Sequence, residues 1–339
     1  MGNEVKKNLF VINPVSFFTD KDLDFFIRLV RSYFVGREDR LDVRVSAYPR
    51  DAVTYTRNYV ENLDPETRVR IYAVGGDGIL FDCLNGIVGL PNVELGVIPH
   101  GKTNDFVRSF GEGLNAEFRD IGLQLSGKSL ESDAISVGGY HALNSCTVGM
   151  ESYAAYKAVN VQKRFKPFLD NFSRPVSRPL YAFLYYVGGI FSIANKSVIN
   201  QYYRLSVDGT DFSGNYASIN IANGPCYGGD KCGAVAAMPD DGLLDVVLFK
   251  STGVFDFLSK GFDYLYGRFH KYPELFGYHR AREVTIQSEL PLILQLDGET
   301  IIDTGVTAKI VPKAVRIISV NDLKFKPRAF LEDIRKRKA

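Results

Sequence analysis

The sequence predicts two units: an α/β N-terminal unit on a parallel sheet, then an antiparallel β-sandwich. Three observations lead there. Up to about residue 130, apolar runs of strand length alternate with segments of helical periodicity. From about residue 131, short strands follow one another with little helix between them. The chain has 339 residues, 45% hydrophobic and 24% charged, enough for two ordinary cores.

In the first unit, NLFVIN (8–13) reads as a buried strand, and Leu23, Phe26, Ile27, Val30 and Phe34 then fall at helical spacing. LDVRVSAYP (41–49) alternates like a strand, and residues 51–63 read as a helix. VRIYAV (69–74) is a strand, with a helical face starting near Leu80. VELGVIP (93–99) is the next strand. Repeated strand–helix alternation argues for a parallel sheet covered on both faces.

In the second unit, DAISVGGYHALNS reads as a hairpin with a glycine turn. YRLSVDG, YASINIANG, LLDVVLF, EVTIQS, LILQLDGE, VTAKIVP and VRIISV supply further strands. Two helical pieces interrupt them, over roughly 151–195 and 254–267. The predicted units are 1–130, with the 321–339 tail returning to it, and 131–320.

A net charge of +2 gives no bulk attraction to nucleic acid, and no nucleic-acid partner is expected. The four cysteines, Cys83, Cys146, Cys226 and Cys232, form no CxxC pair and no zinc pattern, and read as free thiols in a reducing cytoplasm. NLFVIN is too short for a signal core, and the apolar stretch 179–194 falls short of the ~20 residues that span a bilayer. The expected location is cytoplasmic, with peripheral contact at a membrane. Two segments suggest that contact: the basic tail with Lys324, Lys326, Arg328, Arg335, Lys336, Arg337 and Lys338, and the aromatics Tyr181, Phe183, Tyr185, Tyr186 and Phe191. A solvated terminal helix and simple packing are the alternatives.

Four stretches carry candidate chemistry. VGGDGILFD (74–82) runs from a strand into a helix, and glycine there frees backbone N–H groups to cradle phosphate. Turns use the same residues, and Asp77 would repel bare phosphate unless it holds Mg²⁺ or orients a donor. PHGKTNDFVR (99–108) follows the next strand, so both loops lie at the carboxyl edge of the sheet, where open α/β folds bind ligands. There Asn104 is a helix cap, a nucleotide contact, or both. PDDGLLDV places Asp241 and Asp245 four apart around a glycine, as a cation pair or as an ordinary turn. LQLDGETI places Asp297 and Glu299 around Gly298, where a surface turn is the common meaning.

Together with NPVS (13–16) and NGPCYGGD (223–230), these stretches resemble, in order and over nearly the whole chain, the diacylglycerol kinase catalytic-domain family. That family includes bacterial soluble lipid kinases and is related to sphingosine and ceramide kinases. The resemblance implies an ATP-binding α/β domain, a lipid-binding β-sandwich and a cleft between them. It implies transfer of the γ-phosphoryl group of ATP to a lipid hydroxyl at the membrane surface, diacylglycerol to phosphatidic acid, with Mg²⁺. It also implies that Asn13, Gly75, Gly76, Asp77, Gly78, Thr103, Asn104 and Asp105 bind the nucleotide and its Mg²⁺. Asp297 and Glu299 would take the hydroxyl proton, and Asp241 and Asp245 would hold a structural Mg²⁺. The β unit is the candidate surface for a homodimer.

The chain departs from the family pattern at Ile79, where the glycine loop ends in threonine, and at Phe81 and Asp82, which replace an Asn-Glu pair. Lys102 stands where threonine is usual, and Asp230 replaces a glycine. Ile79 is expected to remove a hydroxyl contact to phosphate, and Lys102 to replace it with charge. The rival readings are an NAD kinase-like enzyme and a catalytically impaired nucleotide- or lipid-binding regulator.

Overall fold

The computed structural model describes residues 7–169, 180, 196–229 and 231–326. The aromatics between 181 and 191, Asp230 and the tail beyond Lys326 lie outside the described residues, as does most of the expected helical piece after Leu169.

Four parallel strands form the first unit: β1 (Lys7–Ile12), β2 (Leu41–Val45), β3 (Val69–Gly75) and β4 (Val93–Pro99), in the order β2-β1-β3-β4. Alternation along β1 divides its side chains between two cores. Leu9 and Val11 join Ile71 and Ala73 on one face, under α2 (Asp51–Glu61) and α3 (Asp77–Ile87). Phe10 and Ile12 join Tyr72 and Val74 on the other, under α1 (Asp20–Ser32). Each fully buried side chain of this size contributes about 1.5–3 kcal/mol. Thr19 and Asp22 form a capping box that starts α1.

The remaining strands are β5 (Lys128–Val137), β6 (Tyr140–Ala142), β7 (Ser145–Gly149), β8 (Gln201–Val207), β9 (Thr210–Asp211), β10 (Gly214–Ala222), β11 (Leu244–Lys250), β12 (Phe276–Ala281), β13 (Glu283–Leu296) and β14 (Glu299–Ser319). They pair antiparallel, with β12-β11-β10-β7-β13-β14 along the main path. They enclose a third core around Val148, Ile219, Ile221, Val246 and Leu294. The 21-residue β14 leaves this unit to pair parallel with β4, through Arg316↔Glu94 and Ile317↔Leu95. Beyond it the chain folds back on the first unit: Phe325 packs on Phe110, and the Lys326 N–H donates to the Ser109 carbonyl. No described helix is long and apolar enough to cross a membrane.

Two expectations are corrected. The third helix starts at Asp77 rather than near Leu80, so Asp77 and Gly78 lie in its first turn. Cys226 and Cys232 are joined in a disulfide, while Cys83 and Cys146 are free and buried. The chain reverses between the pair: Tyr227 bridges antiparallel to Lys231, its N–H donating to the Lys231 carbonyl at 2.9 Å, which brings the two sulfurs together.

Candidate active site

The glycine turn is built by close packing. Gly75 has φ 155°, and a Cβ there would lie 2.8 Å from Ile79 Cγ2 and 3.0 Å from Asn13 Cβ. Asn13 closes β1 by accepting the Val15 N–H. Gly76 caps α3 with no side-chain hydrogen bond, so the first amides of this helix are left to a ligand or to water. The 99–108 loop is held against this turn. The N–H groups of His100 and Gly101 both donate to the Gly75 carbonyl, and Gly76 and Gly101 meet backbone to backbone. Asn104, in the left-handed region at φ 52°, ties Gly101 through both ends of its amide.

Asp77 turns toward that second loop. Its carboxylate accepts the Thr103 hydroxyl and the N–H groups of Asn104 (3.1 Å) and Asp105 (2.8 Å). Asp105 in turn accepts the N–H groups of Gly228 (2.6 Å) and Gly229 (2.7 Å) from the segment after β10. Burial, then the charge of Asp77, pushes the Asp105 carboxyl up to about 7. One chain of carboxylates thus joins the glycine turn, the second loop and the β unit.

The third wall is the hairpin between β13 and β14. Asp297 and Gly298 both have positive φ (47° and 91°), as a tight two-residue hairpin turn requires. The two acids of this turn behave differently. Asp297 points back and accepts the N–H groups of Leu143 (2.6 Å), Asn144 (3.0 Å) and Ser145 (2.9 Å). Burial pushes its carboxyl up to about 6. Glu299 points forward: its Oε1 lies 3.3 Å from where a Cβ on Gly78 would stand. Its Oε2 meets Arg50 Nη2 at 3.4 Å. Arg50 also pairs with Asp82, whose carboxyl is pushed up to about 6, chiefly by burial.

The structure therefore brings Asn13, Gly75, Gly76, Asp77, Gly78, Thr103, Asn104, Asp105, Asp297 and Glu299 to one edge of the parallel sheet. Lys102 is exposed on the second loop. Ile79 faces inward, 4% exposed, in the core beneath the turn. His100 is a packing residue, stacked on Phe17 with its ring held neutral by burial, its pKa lowered to about 4.

Asp241 and Asp245 do not assemble the expected magnesium site. Arg280 pairs with both, and the Tyr278 hydroxyl donates to Asp245, which is 0% exposed. The cation already between them is a guanidinium. Asp77 likewise spends its carboxylate on protein donors, and among the described residues no three His, Cys, Asp or Glu converge to hold a metal ion. Arg50 and Asp82 were not singled out as site residues. The signal was present in Asp82, which stands one turn past the glycine loop, but its partner lies 32 residues upstream.

Comparison with known proteins agrees with this architecture. The diacylglycerol kinase catalytic domain matches residues 7–137, and the YegS C-terminal NAD kinase beta sandwich-like domain matches residues 173–319. "Putative lipid kinase SH2167" of Staphylococcus haemolyticus is 27% identical over 285 residues, 82% of this chain and 85% of that protein. "Putative lipid kinase SaurJH9_0749" of Staphylococcus aureus is 24% identical over 292 residues, 84% of this chain and 88% of its own. The crystal structure of a putative diacylglycerol kinase from Bacillus anthracis superposes with TM-score 0.69 at 21% identity, over 94% of this chain and 98% of its own. With both halves matched in order and the motif residues gathered at one edge, the chain belongs to the diacylglycerol kinase catalytic-domain family and is a kinase.

Proposed function

We propose that this protein transfers the γ-phosphoryl group of ATP to the hydroxyl of a membrane lipid, with diacylglycerol the first acceptor to test and phosphatidic acid its product. The observation that carries the reading is Glu299, a carboxylate of the β unit aimed at Gly78 in the first turn of the helix that follows the glycine turn. The amides at the start of α3 and the Gly75–Gly76 backbone receive phosphate oxygens. Glu299 takes the hydroxyl proton as the lipid oxygen bonds to the γ-phosphorus and the bond to the bridging oxygen of ADP breaks. Asp297 holds the turn that presents Glu299. Asp77 and Asp105 hold the two nucleotide loops and the β unit in register. ATP enters as its magnesium salt.

The lipid is met in the cytoplasm at the membrane surface, where such an acceptor resides. The inward position of Ile79, whose side chain does not obstruct the turn, supports a working cradle. The test is transfer from radiolabelled ATP to a total lipid extract, diacylglycerol micelles and NAD in parallel, with Glu299→Gln beside the unmodified enzyme. Labelled lipid that disappears in the variant supports the reading. Label on NAD, or none on any acceptor, overturns it.

A further inference from the structure

We infer that Arg50 is the positioning residue of Glu299, fixing which of its carboxylate oxygens faces the glycine loop. The inference rests on the reading of Glu299 as proton acceptor. Arg50 stands in the left-handed region at φ 69°, ψ 2°, where a long side chain costs energy and persists only when its surroundings hold it. Here they hold it on several sides. Its backbone N–H donates to Asp82 Oδ2 at 3.2 Å, and its Nη1 meets Asp82 Oδ1 at 3.3 Å. Its guanidinium lies over the Phe81 ring at 4.6 Å and near the Tyr140 ring at 5.5 Å.

So fixed, Arg50 offers its remaining terminal nitrogen to Glu299 Oε2, at 3.4 Å across 249 residues of sequence. Oε1 is then the oxygen turned toward Gly78. Two of the chain's departures from its family pattern gain a purpose together: Phe81 supplies the surface under the guanidinium, and Asp82 the carboxylate that anchors it. An arginine suits this place better than a lysine, because one planar fork serves two carboxylates and stacks on a ring.

The test compares steady-state transfer by the unmodified enzyme with Arg50→Gly, Arg50→Lys, Glu299→Gln and the Arg50→Gly/Glu299→Gln double variant. Glycine accepts the left-handed backbone, so Arg50→Gly removes the side chain while relieving the backbone, and thermal unfolding checks that it remains folded. The expected result is a kcat about 10–100-fold lower in Arg50→Gly, the loss a misplaced group produces, with the KM for ATP within about twofold. Arg50→Lys recovers part of that loss. The double variant is no slower than Glu299→Gln alone, because the two residues act as one unit.

Arg50→Gly with kcat within twofold of the unmodified enzyme overturns the inference, as do multiplicative losses in the double variant. A rise in the KM for ATP of tenfold or more at unchanged kcat also overturns it, by making Arg50 a phosphate ligand. If Glu299→Gln is inactive while Arg50→Gly is normal, the kinase reading stands and this inference falls. If the unmodified enzyme labels no lipid, both fall.

Discussion

Asp105 accepts the backbone N–H of Gly228 at 2.6 Å across 123 residues of sequence, tying the 99–108 loop to the β unit. Gly229 donates to the other oxygen of the same carboxylate. The bond is made by a buried acid whose pKa stands near 7, raised first by burial and then by Asp77. The contact between the two halves of the molecule is therefore sensitive to pH.

The sign follows from linkage. A carboxyl whose pKa is raised on folding binds its proton more tightly in the folded state. Its favourable contribution is present at low pH and is lost as pH rises from about 4 to about 7. Asp82 and Asp297, both near 6, act in the same direction, whereas His100, lowered to about 4, acts in the opposite one. The comparison with Asp105→Asn isolates the Asp105 part. Urea midpoints between pH 5 and pH 8 are expected to fall less steeply in the variant than in the unmodified protein. Equal slopes would remove Asp105 from the account.

Asp297 and Glu299 are expected to separate stability from turnover. Asp297→Ala strips one acceptor group from three backbone donors, at about 1–3 kcal/mol for each donor left unsatisfied. Its unfolding midpoint should drop sharply. Glu299 sits half-exposed at the opening, so Glu299→Gln should leave the midpoint within about 0.5 kcal/mol and lower kcat by about 10²–10⁴-fold. Paired denaturation and turnover measurements check both. A stable Asp297→Ala, or an active Glu299→Gln, would reverse the assignment of roles within the turn.

Much of this arrangement was legible in the residues because burial writes it there. The strands at 8–13, 69–74 and 93–99 are mostly apolar runs, each broken by no more than one charged residue, and both glycine loops follow such runs directly. What escaped depends on distance along the chain. The pair Arg50–Glu299 spans 249 residues, and no local pattern announces it. The Cys226–Cys232 bond escaped because pairing depends on how the intervening residues turn, which spacing alone does not give. Asp241 and Asp245 read as a cation pair because their cation, Arg280, comes from a neighbouring strand.

Ile79 tests the same point by substitution. Threonine at this position matches the family pattern, and a hydroxyl on the open face of the turn would aid phosphate binding. Ile79 instead packs in the core beneath Gly75. Ile79→Thr is therefore expected to cost about 1–3 kcal/mol of stability, from a hydroxyl buried among apolar groups. The KM for ATP should stay within about twofold. A tenfold gain in turnover would mean that residue 79 reaches the nucleotide.

Gly101 governs how closely the glycine turn and the 99–108 loop approach. A Cβ on it would sit under 3.0 Å from Gly76 Cα and 2.9 Å from Asn104 Oδ1. The first neighbour is backbone at the start of α3, so no flexible side chain can yield. Gly101→Ala must push the second loop away from the glycine turn and stretch the bonds from His100 and Gly101 to the Gly75 carbonyl. Overpacking of this kind costs about 1–3 kcal/mol. Because the moved parts are the two walls of the proposed ATP site, ATP affinity should fall along with stability. Gly253→Ala is the matched control, since nothing lies within 4 Å of its Cβ position. Calorimetric titration with ATP beside thermal unfolding checks the pair. If Gly101→Ala loses stability but binds ATP as tightly as the control, the contact between these loops serves the fold alone, and the cleft does not depend on how closely they meet.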